Sequence, residues 1–401
     1  MIKEPGINKM SVEEEIQYMI TSKTSLTVLA LTITIMSLSC TSNEVQKDIN
    51  VNLNVLPAIP LKGELMEELL LTPYTKSMKH IQSHLFHFTP IHRISCLVTN
   101  ENADTIGYLA PIGNGPGEFI SAWPDFAGIS QNEDTIYLYD TSIRTVKTYN
   151  LNVTSEKVSC SFIDKKKLQE NGRPNAEIID WGINRLKRLD NGYFVGFCDL
   201  STGHTFSLFN KDLEEITKFG EYPIQKGLEK DELYFIPFFD GSLEVKGNSI
   251  YHATRAFPYM ARYDINEKGE VTKVWEGLYA NVHCYLSNRS LKFKANNTEG
   301  FYSLAVGEKY LFAAYSGVES GELHRQRSGM ALYPRTLVVF DLYGNPLKKF
   351  KLEGRFVPIC LDSKEEYLYV QHDDPDTSLW RYKISDIEDH LQDLQEKDQS
   401  L

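Results

Sequence analysis

The sequence predicts an all-β protein, a six-bladed β-propeller built from four-stranded antiparallel blades. An aromatic or β-branched doublet opens a short apolar run at positions 136, 193, 250, 310 and 367, with spacings of 57, 57, 60 and 57 residues. A second run follows each time, and four of the five second runs end in an aromatic residue before Asn or Asp, which suits a strand entering a turn. The 22 Tyr and 20 Phe also favour strands. Four-stranded units at this period are typical of propellers.

The N-terminal part of the chain has the pattern of a bacterial export signal. Leu26–Leu38 is an apolar run of the length found in signal peptides and is short for a membrane-spanning helix. Ser39-Cys40 follows it and resembles a lipobox, in which the Cys is lipidated and becomes the first mature residue, although Ser37 stands where Leu is usual. We therefore expect a signal peptide over residues 1–39, a lipid on Cys40 and a location in the cell envelope. An uncleaved membrane anchor is the alternative.

The start of this leader is expected at Met19 rather than Met1. The run Glu13-Glu14-Glu15 is acidic, whereas the region before the apolar core of a signal peptide is positively charged, as Lys23 is. The mature chain then divides into a polar tether over 40–50, a propeller over 51–385 and a short polar tail helix over 386–401.

One blade is predicted before the repeat becomes regular, with strands at His84–Phe88, Ile94–Thr99 and Thr105–Ile112. Five further units occupy about 120–385, which makes six blades. The last unit lacks an outer strand because the chain becomes polar and helical after Ile384. An N-terminal strand is expected to supply it and close the ring, with Val51–Val55 as the candidate.

A glycine-rich turn, Gly113-Asn114-Gly115-Pro116-Gly117-Glu118-Phe119, joins the first two predicted blades. It is not a dinucleotide fingerprint, because Glu118 stands where the third Gly is needed and no helix follows, and it lacks the Gly-Lys-Ser/Thr of a Walker loop. We interpret it as a turn whose glycines adopt positive φ. Glu118 is a candidate on a binding face.

The same heptad resembles the G-x-G-P-G-E-[FY] signature of six-bladed, TolB-like/NHL-like propeller lipoproteins common in Bacteroidetes. In those proteins the signature also joins the first blade to the second. The resemblance covers about residues 50–385. It implies a periplasmic or surface-exposed binding propeller without common catalytic residues.

Charge and metal-ligand spacing argue against several function classes. The net charge of −12 disfavours nucleic acid as a partner. Five cysteines besides Cys40 are scattered without a C-x-x-C pair, so they are expected to be mostly small buried hydrophobes rather than zinc ligands. No Ser lies in a G-x-S-x-G context. No catalytic residue, metal or cofactor is predicted.

Two clusters of potential metal ligands are interpreted as structural. His80, His84, His87 and His92 fall in strand-like sequence, where neighbouring side chains diverge, so we expect histidines half-exposed on a blade. Asp373-Asp374-Pro375-Asp376 lacks the Gly and distal Glu of a calcium loop and is expected to be a solvated turn.

Loop lengths indicate where a ligand would bind. In a propeller, the links between second and third strands and the links between blades emerge on one face. The long excursions, Asp164–Ile179, Glu221–Ile236, Gly277–Gly300 and Ser316–Arg335, are all of these kinds. Their tyrosines and positive charges suit an anionic or carbohydrate ligand. The candidate binding residues are Glu118, Tyr222, Tyr285, Arg325, Arg327, Tyr333 and Arg335.

The predicted function is therefore a non-catalytic binding or interaction propeller, held at the membrane by its lipid. An envelope protein, peptide or glycan would bind the long-loop face or the mouth of the central channel. The alternatives are a propeller enzyme of lyase or lactonase type and a purely structural envelope subunit, because the fold alone does not choose among them.

Overall fold

The computed structural model describes the chain from residue 47 onward, with gaps. The described residues are 47–67, 75, 77–91, 94–120, 124–170, 185–197, 204–221, 241–287, 290–326, 332–374 and 377–398. The expected signal peptide, the lipidation site Cys40 and most of the expected tether lie outside these residues.

Three short strands and one 3-10 turn open the described chain. They are β1 (Lys47–Asn50), the 3-10 turn Leu53–Val55, β2 (Ala58–Pro60) and β3 (Glu64–Glu67). We call residues 47–67 the N-terminal strap. None of these strands forms part of a hairpin with its sequence neighbours, because each pairs with a different blade far along the chain.

The ring then forms as six successive four-stranded antiparallel sheets, which confirms the predicted propeller. Blades one to three are β4 (Ser77–Ile81), β5 (His84–Ile91), β6 (Ile94–Asn100), β7 (Thr105–Pro111); β8 (Asp125–Ile129), β9 (Thr135–Asp140), β10 (Thr145–Val153), β11 (Val158–Lys167); and β12 (Leu186–Arg188), β13 (Phe194–Phe197), β14 (Phe206–Phe209), β15 (Glu215–Phe219).

Blades four to six complete the ring, and a two-stranded hairpin lies between blades four and five. In chain order these strands are β16 (Gly241–Lys246), β17 (Ser249–Thr254), β18 (Tyr259–Ile265), β19 (Val271–Leu278); the hairpin β20 (Cys284–Ser287), β21 (Ser290–Phe293); β22 (Phe301–Val306), β23 (Tyr310–Tyr315), β24 (Thr336–Asp341), β25 (Pro346–Lys351); and β26 (Arg355–Leu361), β27 (Tyr367–Asp374), β28 (Ser378–Lys383).

The apolar runs arise because both faces of the middle strands are buried between neighbouring blades. In β24, Val338 packs into one hydrophobic cluster, whereas Leu337 and Val339 pack into another. Successive strand residues point to opposite faces, so a strand between two cores must be apolar on both. The repeated doublets occur in or directly before the second strand of blades two to six, where this double burial is required.

Ring closure uses a different segment from the one expected. The fourth strand of blade six is β3, which pairs antiparallel with β28 and places Glu64 opposite Arg381. Val51–Val55 instead contains the 3-10 turn, whose Leu53 is fully buried. The candidate segment was wrong because Leu53 is buried in the core of blades four and five, and the chain pairs with blade six only from Glu64, eleven residues later.

The strap covers the outer edges of three consecutive blades. β1 adds parallel to β19 of blade four, and β2 adds parallel to β25 of blade five, before β3 closes blade six. The strap's own Ile49, Leu53 and Leu61 are buried in the blade cores, with exposed fractions of 7%, 0% and 4%. Edges that would otherwise present unpaired backbone groups are thereby covered.

Among the described residues, two helices accompany the strands: α1 (Glu322–Gln326), in the second-to-third link of blade five, and α2 (Ile384–Asp398). The second lies where a tail helix was expected over 386–401 and begins two residues earlier, at Ile384, because Ile384 and Ile387 pack into the core of blades five and six. Among the described helices, none is long and apolar enough to cross a membrane.

Candidate functional site

The links that emerge on one face of the ring include the longest described loops. They are the heptad after β7, the segment between β19 and β22 with its hairpin, and the link between β23 and β24. We call this the long-loop face. Parts of the predicted excursions at 164–179 and 221–236 lie outside the described residues, and Asp164–Lys167 belongs to β11 rather than to a loop.

Glu118 is folded back into its own loop. Its Oε2 accepts a hydrogen bond from the Gly115 backbone N–H at 2.7 Å, while the Gly113 N–H donates to the Phe119 carbonyl at 2.9 Å. Lys147 of blade two donates to the Glu118 carbonyl, and the Lys147 ammonium lies 4.4 Å from the centroid of the Phe119 ring. The heptad therefore fixes blade one to blade two, and its carboxylate helps to close the turn.

The heptad glycines are required for space and not for a left-handed backbone. Positive φ was expected, but none of the three has it. A Cβ on Gly113 would stand 2.1 Å from Glu118 Oε2, one on Gly115 would stand 3.0 Å from Glu118 Cδ, and one on Gly117 would stand 3.1 Å from Phe162 Cβ. The glycines leave room for the inward-turned carboxylate and for the outer strand of blade two.

Gly113→Ala is expected to lower the free energy of unfolding by about 2 kcal/mol. The new methyl group displaces the Glu118 carboxylate, so the Gly115 N–H loses its hydrogen-bond acceptor. Urea unfolding followed by tryptophan fluorescence measures this. In a Glu118→Ala background the same substitution should cost far less. Equal costs in the two backgrounds would show that the carboxylate is not what the glycine accommodates.

The central channel is crossed by an ion pair. The first strands are innermost and contact one another around the axis. Lys79 of blade one and Glu244 of blade four lie 2.5 Å apart, with side chains 20% and 16% exposed. Because blades one and four are opposite in a ring of six, this contact spans the channel and blocks the axis at that level.

Blades two and three add a second, more deeply buried pair to the channel wall. Asp125 and Lys187 are 3.9 Å apart, and their side chains are 0% and 3% exposed. Asp125 accepts from the Leu186 N–H at 3.0 Å, and Lys187 donates to the Phe126 carbonyl at 2.7 Å. Burial lowers the pKa of Lys187. Four adjacent first strands thus contribute charges of alternating sign, which hold the inner ring together.

At the channel mouth on the long-loop face, an arginine lies over one tyrosine ring and a second tyrosine meets that ring edge-on. The Arg255 guanidinium lies 4.6 Å from the centroid of the Tyr302 ring, and the Tyr302 and Tyr333 rings are 5.7 Å apart at an interplanar angle of 64°. Tyr302 is near the start of an innermost strand, and the other two residues lie in second-to-third links of blades four and five. We call these three residues the Arg–Tyr stack.

The loops that carry the stack are held by buried hydrogen bonds. Asn297 is fully buried; its Nδ2 donates to the Ala256 carbonyl at 2.7 Å and its Oδ1 accepts from the His283 N–H at 3.2 Å. The Gly300 N–H donates to the Arg255 carbonyl at 2.6 Å, and a Cβ on Gly300 would lie 2.3 Å from the Phe257 carbonyl oxygen. This support makes the stack a preorganised feature rather than a mobile one.

The predicted binding residues are only partly brought together. Tyr333 belongs to the stack, and Arg335 is exposed two residues later at the end of the same link. Tyr285 is 51% exposed on the hairpin. Arg325 is paired with Glu319 at 3.3 Å and Glu322 at 2.9 Å, so its charge is largely balanced. Tyr222 and Arg327 lie outside the described residues.

Sequence reasoning missed Arg255 and Tyr302. Arg255 directly follows the apolar strand β17 and is the first residue of a second-to-third link, which is the position that could have identified it. Tyr302 resembles any strand aromatic, and only its place on an innermost strand distinguishes it.

The histidine cluster is more buried than expected. His84 and His87 are 8% and 0% exposed, and the side chain of His80, which stacks on Tyr369, is 2% exposed. The expectation of half-exposed histidines was therefore wrong for these three, because they face the seams between blades. Burial lowers the pKa of His87 to about 3. His92 lies outside the described residues, among which no group of three or more His, Cys, Asp or Glu could hold a metal ion.

Asp373 is likewise buried rather than in a solvated turn. It is 7% exposed in β27, on the strand face that carries Tyr369 toward blade one, and burial raises its pKa to about 7. The interpretation as a solvated turn was wrong for this residue because the strand extends through it. Pro375 and Asp376 lie outside the described residues.

Asp373→Asn is expected to stabilise the protein at alkaline pH. A carboxyl whose pKa is raised on folding stabilises the fold below its unfolded pKa, and that contribution is lost as pH rises through the folded value near 7. At pH 8 the variant should gain about 3 kcal/mol, with little gain at pH 4. Thermal unfolding at both values measures it, with the exposed Asp389→Asn as control. A pH-independent effect would contradict the assignment.

Comparisons with known proteins identify the architecture. No protein-family model matches the chain. No curated protein matches it either. Among solved structures, a Bacteroides fragilis protein described as exported has a TM-score of 0.53 at 11% identity, over 84% of this chain and 98% of its own. A Xanthomonas campestris gluconolactonase has a TM-score of 0.43 at 11% identity, over 82% and 97%. The first likeness supports the propeller fold alone, and the second is too weak to carry an argument.

Proposed function

We propose that this protein is a lipid-anchored binding propeller of the bacterial cell envelope, which holds an anionic or carbohydrate ligand at the Arg–Tyr stack. The observation that carries the proposal is the stack itself, with Tyr302 half-buried between Arg255 and Tyr333 at the channel mouth. The resemblance of the heptad to the TolB-like/NHL-like lipoproteins supports the same class.

The chemistry of the stack suits such a ligand. Tyrosine presents an apolar ring and a hydroxyl, so it can cover the C–H face of a sugar or peptide and still hydrogen-bond to it. The guanidinium of Arg255 and the exposed Arg335 supply positive charge on a chain of net charge −12. Tyrosine and arginine are also the residue types that dominate binding energy at preorganised surfaces. The Lys79–Glu244 pair blocks the axis, which directs the ligand to the mouth.

A glycan array and a peptide screen with the purified protein should identify the ligand. Tyr333→Ala should then weaken its binding by about ten-fold or more. Tyr343→Ala is the matched control, because Tyr343 is 63% exposed but lies in a third-to-fourth link on the opposite face. Unchanged affinity in Tyr333→Ala would remove the stack from the binding site.

The anchor is tested separately. Cys40→Ala should transfer the protein from the membrane fraction to the soluble fraction, because the lipid is the proposed attachment. Retention of the variant in membranes would favour the uncleaved apolar segment Leu26–Leu38 as the anchor.

A further inference from the structure

A groove of about 410 Å³ lies in the seam between blades two and three. Blade two contributes Tyr137 and Asp164; blade three contributes Arg188, Asp190, Phe194 and Lys211. The turn that contains Asp190 and the turn that contains Lys211 are first-to-second and third-to-fourth links, so the groove opens away from the long-loop face. We call these six residues the seam groove.

Arg188 is the central feature of the seam groove. It is half-buried, and its guanidinium lies 4.8 Å from the centroid of the Tyr137 ring. No carboxylate of the described residues lies within ion-pair distance of it. At the same seam, Arg144 is paired with Glu170 at 3.1 Å. A partly desolvated cation is costly without a counter-charge, so an unpaired Arg188 beside a cavity is suited to an anion from outside.

The backbone holds Arg188 in place. A Cβ on Gly128 of blade two would lie 2.8 Å from Arg188 Cβ, so the glycine allows the two first strands to approach closely. The Tyr137 ring is in turn fixed by the edge of Phe194, with centroids 6.2 Å apart at 77°. Phe194 is 5% exposed, so the groove has a rigid aromatic floor.

The rim carries charges of both signs. Asp164 and Asp190 are exposed, and neither makes an ion pair with another described residue. Lys211 is also exposed, and its side chain lies against Gly192, where a Cβ would stand 3.0 Å from Lys211 Cε. Carboxylates accept hydrogen bonds from hydroxyl groups, and the lysine adds positive charge beside Arg188.

We propose that the seam groove binds an acidic monosaccharide of the uronic acid type. Arg188 takes the carboxylate through its two-pronged donor edge, with Lys211 as the second cation. Asp164 and Asp190 accept hydrogen bonds from ring hydroxyls, and the aromatic floor covers the C–H face. The volume of about 410 Å³ is within the range of small-molecule sites. This site is independent of the Arg–Tyr stack.

Isothermal titration calorimetry of the full chain with D-glucuronate and D-galacturonate tests the proposal, with D-glucose as the neutral match. Uronate should bind at least about ten-fold more tightly than glucose. Arg188→Lys keeps the positive charge but loses the paired N–H donors of the guanidinium, and it should weaken uronate binding by about ten-fold or more. Lys364→Gln, which removes an exposed charge from a first-to-second link of blade six, on the same face but three blades from the groove, should leave uronate affinity unchanged. Circular dichroism confirms that each variant is folded.

Three results would overturn the assignment: no uronate binding, equal binding of glucose, or unchanged affinity in Arg188→Lys. Glucose 6-phosphate is titrated as well, to distinguish a phosphate site from a uronate site. If it binds in an Arg188-dependent manner and the uronates do not, the groove is a phosphate site and the uronate proposal is wrong. Tyr333→Ala should leave uronate affinity intact; a loss there would place the uronate at the Arg–Tyr stack instead.

Discussion

A chain that begins at Glu68 should fail to unfold cooperatively, whereas a chain that begins at Lys47 should unfold in a single transition. The shorter chain lacks the strap and therefore loses the fourth strand of blade six and the strands that cover blades four and five. Three buried apolar side chains, Ile49, Leu53 and Leu61, are deleted with the strap, and the loss of their burial removes about 1.5–3 kcal/mol of stabilisation each. That sum alone is comparable to the whole stability of a typical domain.

A point substitution measures the same effect in the intact chain. Leu53→Ala should lower the free energy of unfolding by about 3 kcal/mol, because Leu53 is fully buried among Tyr279, Phe301 and other residues of the core of blades four and five. Val55→Ala is the matched control, since Val55 belongs to the same 3-10 turn but is 74% exposed. Its effect should stay within about 0.5 kcal/mol.

Urea unfolding of the four proteins checks both statements. If the chain from Glu68 unfolds with the same midpoint as the chain from Lys47, the strap is an accessory and the ring closes without it. If Leu53→Ala and Val55→Ala have equal effects, the buried position of the 3-10 turn is incorrect.

Lys79→Met should destabilise the protein by about 3 kcal/mol, because it leaves Glu244 largely buried without its partner in the channel. Glu244→Met should have a similar cost for the converse reason. The double variant should recover most of the loss, because two apolar side chains can replace a buried ion pair with little net cost. The double-mutant cycle should therefore show a coupling energy of about 2 kcal/mol or more.

The pair Lys309–Glu388 is the control for this cycle. Its side chains are 72% and 30% exposed, and its nitrogen and oxygen are 3.2 Å apart. Screening by solvent should reduce its coupling to below about 1 kcal/mol. Additive effects at Lys79 and Glu244 would mean that the two side chains do not meet across the axis, and the channel would then be open at that level.

The fold was predictable because its signals are local. Each blade needs a central strand with two apolar faces and a turn at each end, so the doublets and the aromatic residues before Asn or Asp recur at nearly constant spacing. The heptad was also readable as a join between blades. The reason for its glycines was not predictable. A Cβ at position 113 would clash with the Glu118 carboxylate, and that depends on a side-chain direction that the sequence pattern does not specify.

The candidate sites were less predictable because they depend on contacts between distant residues. Loop length singled out the long-loop face as the candidate binding surface, but it could not distinguish Tyr333, which contacts Tyr302, from Arg325, which forms ion pairs within its own loop. Arg188 was not singled out at all. Its significance arises only where blade three packs on blade two and leaves the guanidinium on Tyr137 without a carboxylate among the described residues.

The amino-acid sequence by itself determined the propeller class, the six-fold repeat and the tail helix, because each follows from patterns within about sixty residues. The tertiary structure decided which strand closes the ring, which charges meet in the channel and which aromatic residues reach the mouth. Glu64 meets Arg381 across 317 positions, and Lys79 meets Glu244 across 165. Such contacts depend on the curvature of the closed ring, which brings the strap to blade six and opposite blades together regardless of their local sequence.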